Sequence, residues 1–323
     1  MSTSLPQGRK PVFILSHPRT ASNLFMKIFK SHPDIVQIEY PFLDSFYFGS
    51  ESQCGRKSAQ IEKKRAELQE QISKPKTYRG CFEKLEENIC KAREQGTVAF
   101  VKEHVFTFLK PSIIDSNLET PRPPRLTPQV HLYDAETRVS SNPTLLPDDF
   151  MLSFVPVFLI RHPALVFASW YRLGQVAFQA DIDDSDFPLE VTFSWSHILY
   201  DWYFNASEPL LNSPEPQLYK PAVIDADDIM SDRGTLQRLC HQLHVDPQHL
   251  VFEWQVTKTG LVPWFSSIQK STGVDMSKLS KGLDIQREFG KWESEFGAEV
   301  AQKLLHFVEL AMPDYEYLLA QRG

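Results

Sequence analysis

Four short stretches carry residue types whose spacing suits chemistry on a phosphate-bearing ligand. In "VFILSHPRTASNLFMKIF" an apolar run stops at a polar turn and an amphipathic pattern follows, with Pro18, Arg19, Thr20, Ala21, Ser22 and Asn23 between them. A helix amino terminus offers unpaired N–H groups and a partial positive charge, so such a turn can hold an anion without glycine throughout. Arg19 adds a full charge, and Thr20, Ser22 and Asn23 add side-chain donors. "FLIRHPALVFASWYR" repeats the layout: a buried run, then Arg161, then a proline-opened helix carrying Ser169, a pair able to grip a second phosphate. "FVKEHVF" sets Lys102 and His104 two apart at the end of a strand pattern, hence on the same side of an extended chain. A cation and an imidazole suited to general-base work would then share one cleft. "KLSKGLDIQREFGKW" is basic and glycine-broken, suited to folding over a ligand. Singly, each stretch also fits an ordinary role: a capped turn, a surface arginine with a packing serine, a structural histidine, a solvated loop. Together they point to anion chemistry.

Such residues need strand ends held side by side. Short apolar runs at Val12–Leu15, Ile35–Ile38, Val98–Lys102, Val155–Ile160 and Tyr219–Ile224 alternate with helical patterns at Ala21–Lys30, Ile61–Ile72, Phe82–Arg93, Leu236–Leu243 and Ala298–Ala311. That alternation predicts an α/β fold, a single domain over residues 1–323 with a central, mainly parallel β-sheet flanked by helices. Between Ser112 and Pro147 both periodicities fade and proline is dense. A segment of this kind is either a mobile cover over the site or a disordered insertion.

The 323 residues are 42% hydrophobic, enough for a packed core, and the formal charge is −7. An acidic chain argues against broad binding to nucleic acid or anionic membranes, and leaves room for a small anion in a local basic pocket. Cys54, Cys81, Cys90 and Cys240 are scattered without a CxxC pair, and the ten histidines show no HExxH spacing, so neither a disulfide framework nor a metal site is expected. The amino end lacks the apolar core of a signal peptide and no run approaches membrane-spanning length, which predicts a soluble cytoplasmic protein. The aromatic stretch "EYPFLDSFYFGS" (Glu39–Ser50), with Trp170, Tyr171, Trp195 and Trp202, supplies candidates for the wall of an apolar pocket; most of these rings fit core positions equally well.

Taken together, the four stretches resemble the PAPS-dependent sulfotransferases, whose donor is 3′-phosphoadenosine-5′-phosphosulfate (PAPS). That family holds the 5′-phosphosulfate in a Pro-(Lys/Arg)-Ser-Gly-Thr-(Thr/Ser) loop, matched here by Pro18-Arg19-Thr20-Ala21-Ser22-Asn23. Its Arg and Ser, eight apart, bind the 3′-phosphate and correspond to Arg161 and Ser169; its Lys-x-His corresponds to Lys102 and His104. Its late Arg-Lys-Gly…Gly-x-Trp segment looks like Lys281-Gly282 and Gly290-Lys291-Trp292. The resemblance runs from about Pro11 to the carboxyl end outside the proline-rich segment. It implies PAPS as donor, adenosine 3′,5′-bisphosphate (PAP) as product, no metal, and a small acceptor, with His104 as base and Arg19 and Lys102 as transition-state cations. Four positions depart from the pattern: Ala21 for the loop glycine, Asn23 for a hydroxyl, Ser280 for the late arginine, and Asp225 in "VIDADDI" for a tyrosine. Ala21, Asp225 and Ser280 motivate a second reading, a repurposed member of the fold that binds ligand or catalyses elimination, cyclisation or rearrangement. A P-loop phosphotransferase comes third, because the Walker A pattern is absent. Acceptor identity and oligomeric state stay open.

Overall fold

A computed structural model describes residues 9–56, 58–71, 76–119, 122, 125–128, 130, 141–209, 216–256, 260 and 265–322. Five strands, β1 (Val12–Ser16), β2 (Ile35–Glu39), β3 (Val98–His104), β4 (Val155–Ile160) and β5 (Ala222–Asp225), form one sheet in the order β2-β3-β1-β4-β5. Every pairing is parallel. Parallel neighbours need crossover connections, and here helices supply them. The described helices are α1 (Ser22–Ile28), α2 (Leu43–Phe48), α3 (Ala59–Gln71), α4 (Tyr78–Glu94), α5 (Pro111–Asn117), α6 (Asp148–Leu152), α7 (Pro163–Phe178), α8 (Ser194–Ser207), α9 (Ala226–Ser231), α10 (Arg233–Gln242), α11 (Ser266–Gln269), α12 (Ile285–Phe296) and α13 (Ala298–Ala320). The α/β architecture expected from the alternation is present.

Central strands covered on both faces read as continuous apolar runs rather than alternating ones. In β1, Phe13 and Leu15 enter one core with Phe167 of α7, Trp195 and Leu199 of α8 and Leu304 of α13. Val12 and Ile14 enter the opposite core with Phe25 of α1 and Leu236 and Leu239 of α10. β3 continues past its apolar run because its ladder does: Leu15 pairs with Glu103 and Ser16 with His104. Lys102 and His104 therefore sit on a rigid strand end beside the end of β1.

Other boundaries moved for local reasons. β5 begins at Ala222, just after Pro221, which has no N–H to give a ladder. α13 runs through Pro313 to Ala320, beyond the expected Ala311. The basic, glycine-broken stretch contains a helix: the Asp284 carboxylate accepts from Gln286 N and Arg287 N at 2.9 and 3.3 Å, starting α12, and buries Trp292. Within 112–147, residues 120, 121, 123, 124, 129 and 131–140 lie outside the described residues, and much of the expected cover falls on them. In the described remainder, Thr144 bridges Leu109, and Arg122 reaches Asp115 at 3.0 Å. Among the described residues no helix is long and apolar enough to cross a membrane.

Candidate active site

The chain leaves β1 at Ser16 and turns through His17–Ala21 into α1. Arg19 (φ 69°) and Ala21 (φ 63°, ψ 17°) both occupy the left-handed region. Alanine thus takes the conformation that favours glycine, at a cost on the order of 1–2 kcal/mol. Thr20 Oγ1 donates to the His17 carbonyl at 2.8 Å, closing the turn from inside. The first turn of α1 carries no acidic residue, so nothing there neutralises its positive end.

Across this turn stands the end of β4. Arg19 Nε donates to Ser169 Oγ at 2.9 Å, and Arg161 Nη1 donates to the Arg19 carbonyl at 3.3 Å. Arg161 Nη2 reaches the Lys278 carbonyl at 2.9 Å, while its Nε is buried without a hydrogen-bond partner. Among the described residues, neither Arg19 nor Arg161 forms an ion pair with a carboxylate. Burial pulls both guanidinium groups below their usual range, and Arg19 adds to the effect on Arg161. Two neighbouring cations with an orphaned N–H make a site that an anion would complete, which is the fit that a doubly phosphorylated nucleotide requires.

On the other side of β1, Lys102 is fully buried, with Nζ 2.6 Å from Asn23 Oδ1 and 2.7 Å from Glu39 Oε2. Its ammonium sits 4.2 Å from the Tyr40 ring centroid. Tyr40 is itself left-handed (φ 54°) and donates its hydroxyl to Asn23 Oδ1 at 3.3 Å. The Asn23 oxygen thus accepts twice, which turns its amide N–H groups away from Lys102 and Tyr40. The His104 ring lies 5.0 Å from that of Tyr40, and its Nδ1 lies 3.0 Å from Ser16 Oγ. Ser16 also reaches the Glu103 carbonyl at 3.2 Å. When Ser16 donates there, its oxygen accepts from Nδ1–H, and Nε2 is left as the free base. Burial, then His17 and Lys102, hold His104 well below the usual imidazole range, so the ring is neutral. Glu103 points to the opposite face, accepts from Phe42 N and His104 N at 2.7 Å each, and is pushed up to about 7 by burial.

These groups border one cleft of about 690 Å³. Pro18, Arg19, Ala21–Asn23, His104, Arg161 and Lys278 line it together with Leu43, Tyr47, Phe48, Trp170, Leu173 and Phe265. The aromatic segment Glu39–Ser50 does supply a wall. Of the four other rings, only Trp170 lines the cleft; Tyr171, Trp195 and Trp202 are buried in the core. Thr20 faces inward and Lys102 lies behind Asn23, so each supports the cleft without lining it. Lys281 and Gly282 are exposed and outside the lining; Lys278, the first residue of the same segment, and Asp275 just before it line the cleft instead. Ser280 bonds to Asp227 through N and Oγ, the latter at 2.7 Å. Asp225 accepts from the Tyr315 hydroxyl at 2.9 Å, so a phenol from α13 stands beside the position where the resemblance places tyrosine. The motifs did not single out Ser16, Tyr40, Glu39 or Phe265. Only the EYPF run hinted at any of them. Among the described residues no group of three or more His, Cys, Asp or Glu could hold a metal ion.

The parallel sheet brings two arginines and a Lys-x-His pair to the carboxyl ends of neighbouring strands, an α/β arrangement suited to an anion. No protein-family model matches the chain. It is 34% identical over 329 residues to Sulfotransferase ppzF of Metarhizium majus, covering 96% of both chains. Sulfotransferase ppzF of Metarhizium rileyi is 34% identical over 327 residues, covering 96% of this chain and 95% of that one. The chain belongs to the sulfotransferase family, and so to the transferases.

Proposed function

We propose that this protein transfers the sulfuryl group of PAPS to the hydroxyl or amine of a small, apolar or aromatic acceptor. The observation that carries the reading is the convergence of Arg19, Arg161 and Ser169 on one side of β1 with Lys102 and His104 on the other. The arginine pair suits the two phosphate ends of the donor. The aromatic rings of the lining, Tyr47, Phe48, Trp170 and Phe265, suit the acceptor. The free thiols fit a reducing compartment such as the cytoplasm.

In the reaction the acceptor oxygen forms its bond to sulfur while the bond from sulfur to the bridging phosphate oxygen breaks. The electron pair leaves with PAP. His104 Nε2 takes the acceptor proton, and Ser16 holds the ring so that this nitrogen is the basic one. Arg19 and the first N–H groups of α1 place positive charge where the leaving oxygen becomes negative. Lys102 joins them by exchanging its Glu39 contact, the exposed one of its two.

Thermal shifts with PAP, AMP and ATP–magnesium test the donor. PAP should raise the melting temperature most, since ligand binding to the native state adds stability. Preference for ATP–magnesium would overturn the reading. Transfer from radiolabelled PAPS to a panel of phenols tests the chemistry, and a protein that binds PAP yet sulfates nothing would match the repurposed alternative.

A further inference from the structure

We infer that Glu190 is a positioning residue that fixes the two aromatic walls of the acceptor end, and so helps decide which rings fit there. The inference rests on the sulfotransferase reading above. Glu190 closes a short turn before α8 and is 1% exposed. One carboxylate oxygen accepts from the Tyr47 hydroxyl at 2.6 Å and the other from Trp170 Nε1 at 3.1 Å. Tyr47 belongs to α2 and Trp170 to α7, and both line the cleft. A single buried carboxylate therefore ties together walls from helices more than a hundred residues apart in sequence.

Arg56 pairs with the same carboxylate. Its Nη2 lies 2.9 Å from Glu190 Oε2 and its Nη1 3.4 Å from Oε1, and its Nε bonds to Asp184. A carboxylate offers both oxygens to these donors, where an amide would offer one. Turning either ring breaks its bond to a carboxylate that is buried. Burial also keeps the Tyr47 phenol far above its usual range, so it stays a donor at every working pH.

Trp170 directly follows Ser169, the partner of Arg19, so the wall that Glu190 holds is continuous with the donor end. A buried ion pair can also be no more than a prop for the fold. The difference here is that two of the carboxylate's donors present their rings to the cleft. Loosening it should alter acceptor binding before donor binding.

Glu190→Gln and Tyr47→Phe test this, the second keeping the ring and removing only its hydroxyl. The probe is 2-naphthol, titrated calorimetrically with and without PAP, and PAP is titrated separately. In both variants Kd for 2-naphthol should rise about fivefold or more, with Kd for PAP within about twofold. The double variant should be no weaker than Glu190→Gln alone, because both changes act on one contact. Unchanged 2-naphthol binding in both variants, additive losses, or equal losses for PAP and 2-naphthol would overturn it, as would failure of the unaltered protein to bind 2-naphthol. Failure of the unaltered protein to bind PAP would instead sink the donor reading, and the titrations without PAP would still report on Glu190.

Discussion

Arg19 and Ser169 lie 150 residues apart in sequence, yet the arginine Nε donates to the serine hydroxyl at 2.9 Å. That bond joins the turn after β1 to the helix after β4. Arg161 Nη1 reinforces it by reaching the Arg19 carbonyl at 3.3 Å. Adjacent strand ends in a parallel sheet are where such a junction forms, because every strand delivers its carboxyl end to the same edge. Four predictions follow from the residues gathered there.

Arg161→Ala should weaken PAP by about ten- to hundredfold while changing AMP far less, since a hydrogen bond to a charged group is worth ~1.5–3 kcal/mol. Calorimetric titration of both nucleotides decides it. Equal losses would mean that Arg161 does not read the second phosphate.

His104→Ala should lower kcat by about 10²–10⁴, the usual worth of a general base, and leave PAP binding intact. The histidine is held neutral well below its usual pKa, so the acid limb of the rate profile should fall below pH 6.5. A variant that loses PAP but keeps chemistry would contradict its role.

Ala21 holds φ 63° without glycine's freedom. Ala21→Gly should stabilise the fold by on the order of 0.5 kcal/mol, the relief of left-handed strain less the added entropy of the unfolded chain. Ala21→Val should destabilise it and weaken PAP, because a β-branched side chain tolerates this region poorly. Urea unfolding of both variants is the check, and a more stable Ala21→Val would refute the strain argument.

His17 packs against Phe167 and Phe193 and is buried, which pulls its pKa down to about 4. The unfolded chain binds this proton near pH 6.5 and the folded one only near 4. Stability from this group is therefore complete above pH 6.5 and is lost as pH falls toward 4, by on the order of 3 kcal/mol. His17→Phe should lose correspondingly less over that window. Parallel urea titrations at several pH values would show it, and identical slopes would dismiss the buried neutral imidazole.

Much of this site was legible before any coordinates. The Arg161–Ser169 spacing, the Lys102–His104 pair and the turn at Pro18–Asn23 are local patterns, and a strand end or helix start displays such residues wherever it lies. Less visible was the backbone at Ala21, because alanine does not announce a left-handed turn as glycine does. α12 was hidden for a similar reason: Gly290 and the run of charges mask a helix that Asp284 starts and Trp292 anchors. Trp195 and Trp202 looked as good for the cleft as Trp170, since composition marks a ring as buried without saying against what.

The sequence alone determined where the five strands fall, the parallel α/β class and which charged and polar groups are candidates for a site. Each follows from neighbours within a few residues, where periodicity and charge act directly. Tertiary structure decided which of those groups meet: Arg19 with Ser169, Lys102 with Glu39, Tyr315 with Asp225, and Glu190 with the rings of Tyr47 and Trp170. Such pairings depend on how distant segments pack around one sheet, and no local pattern records a partner far along the chain.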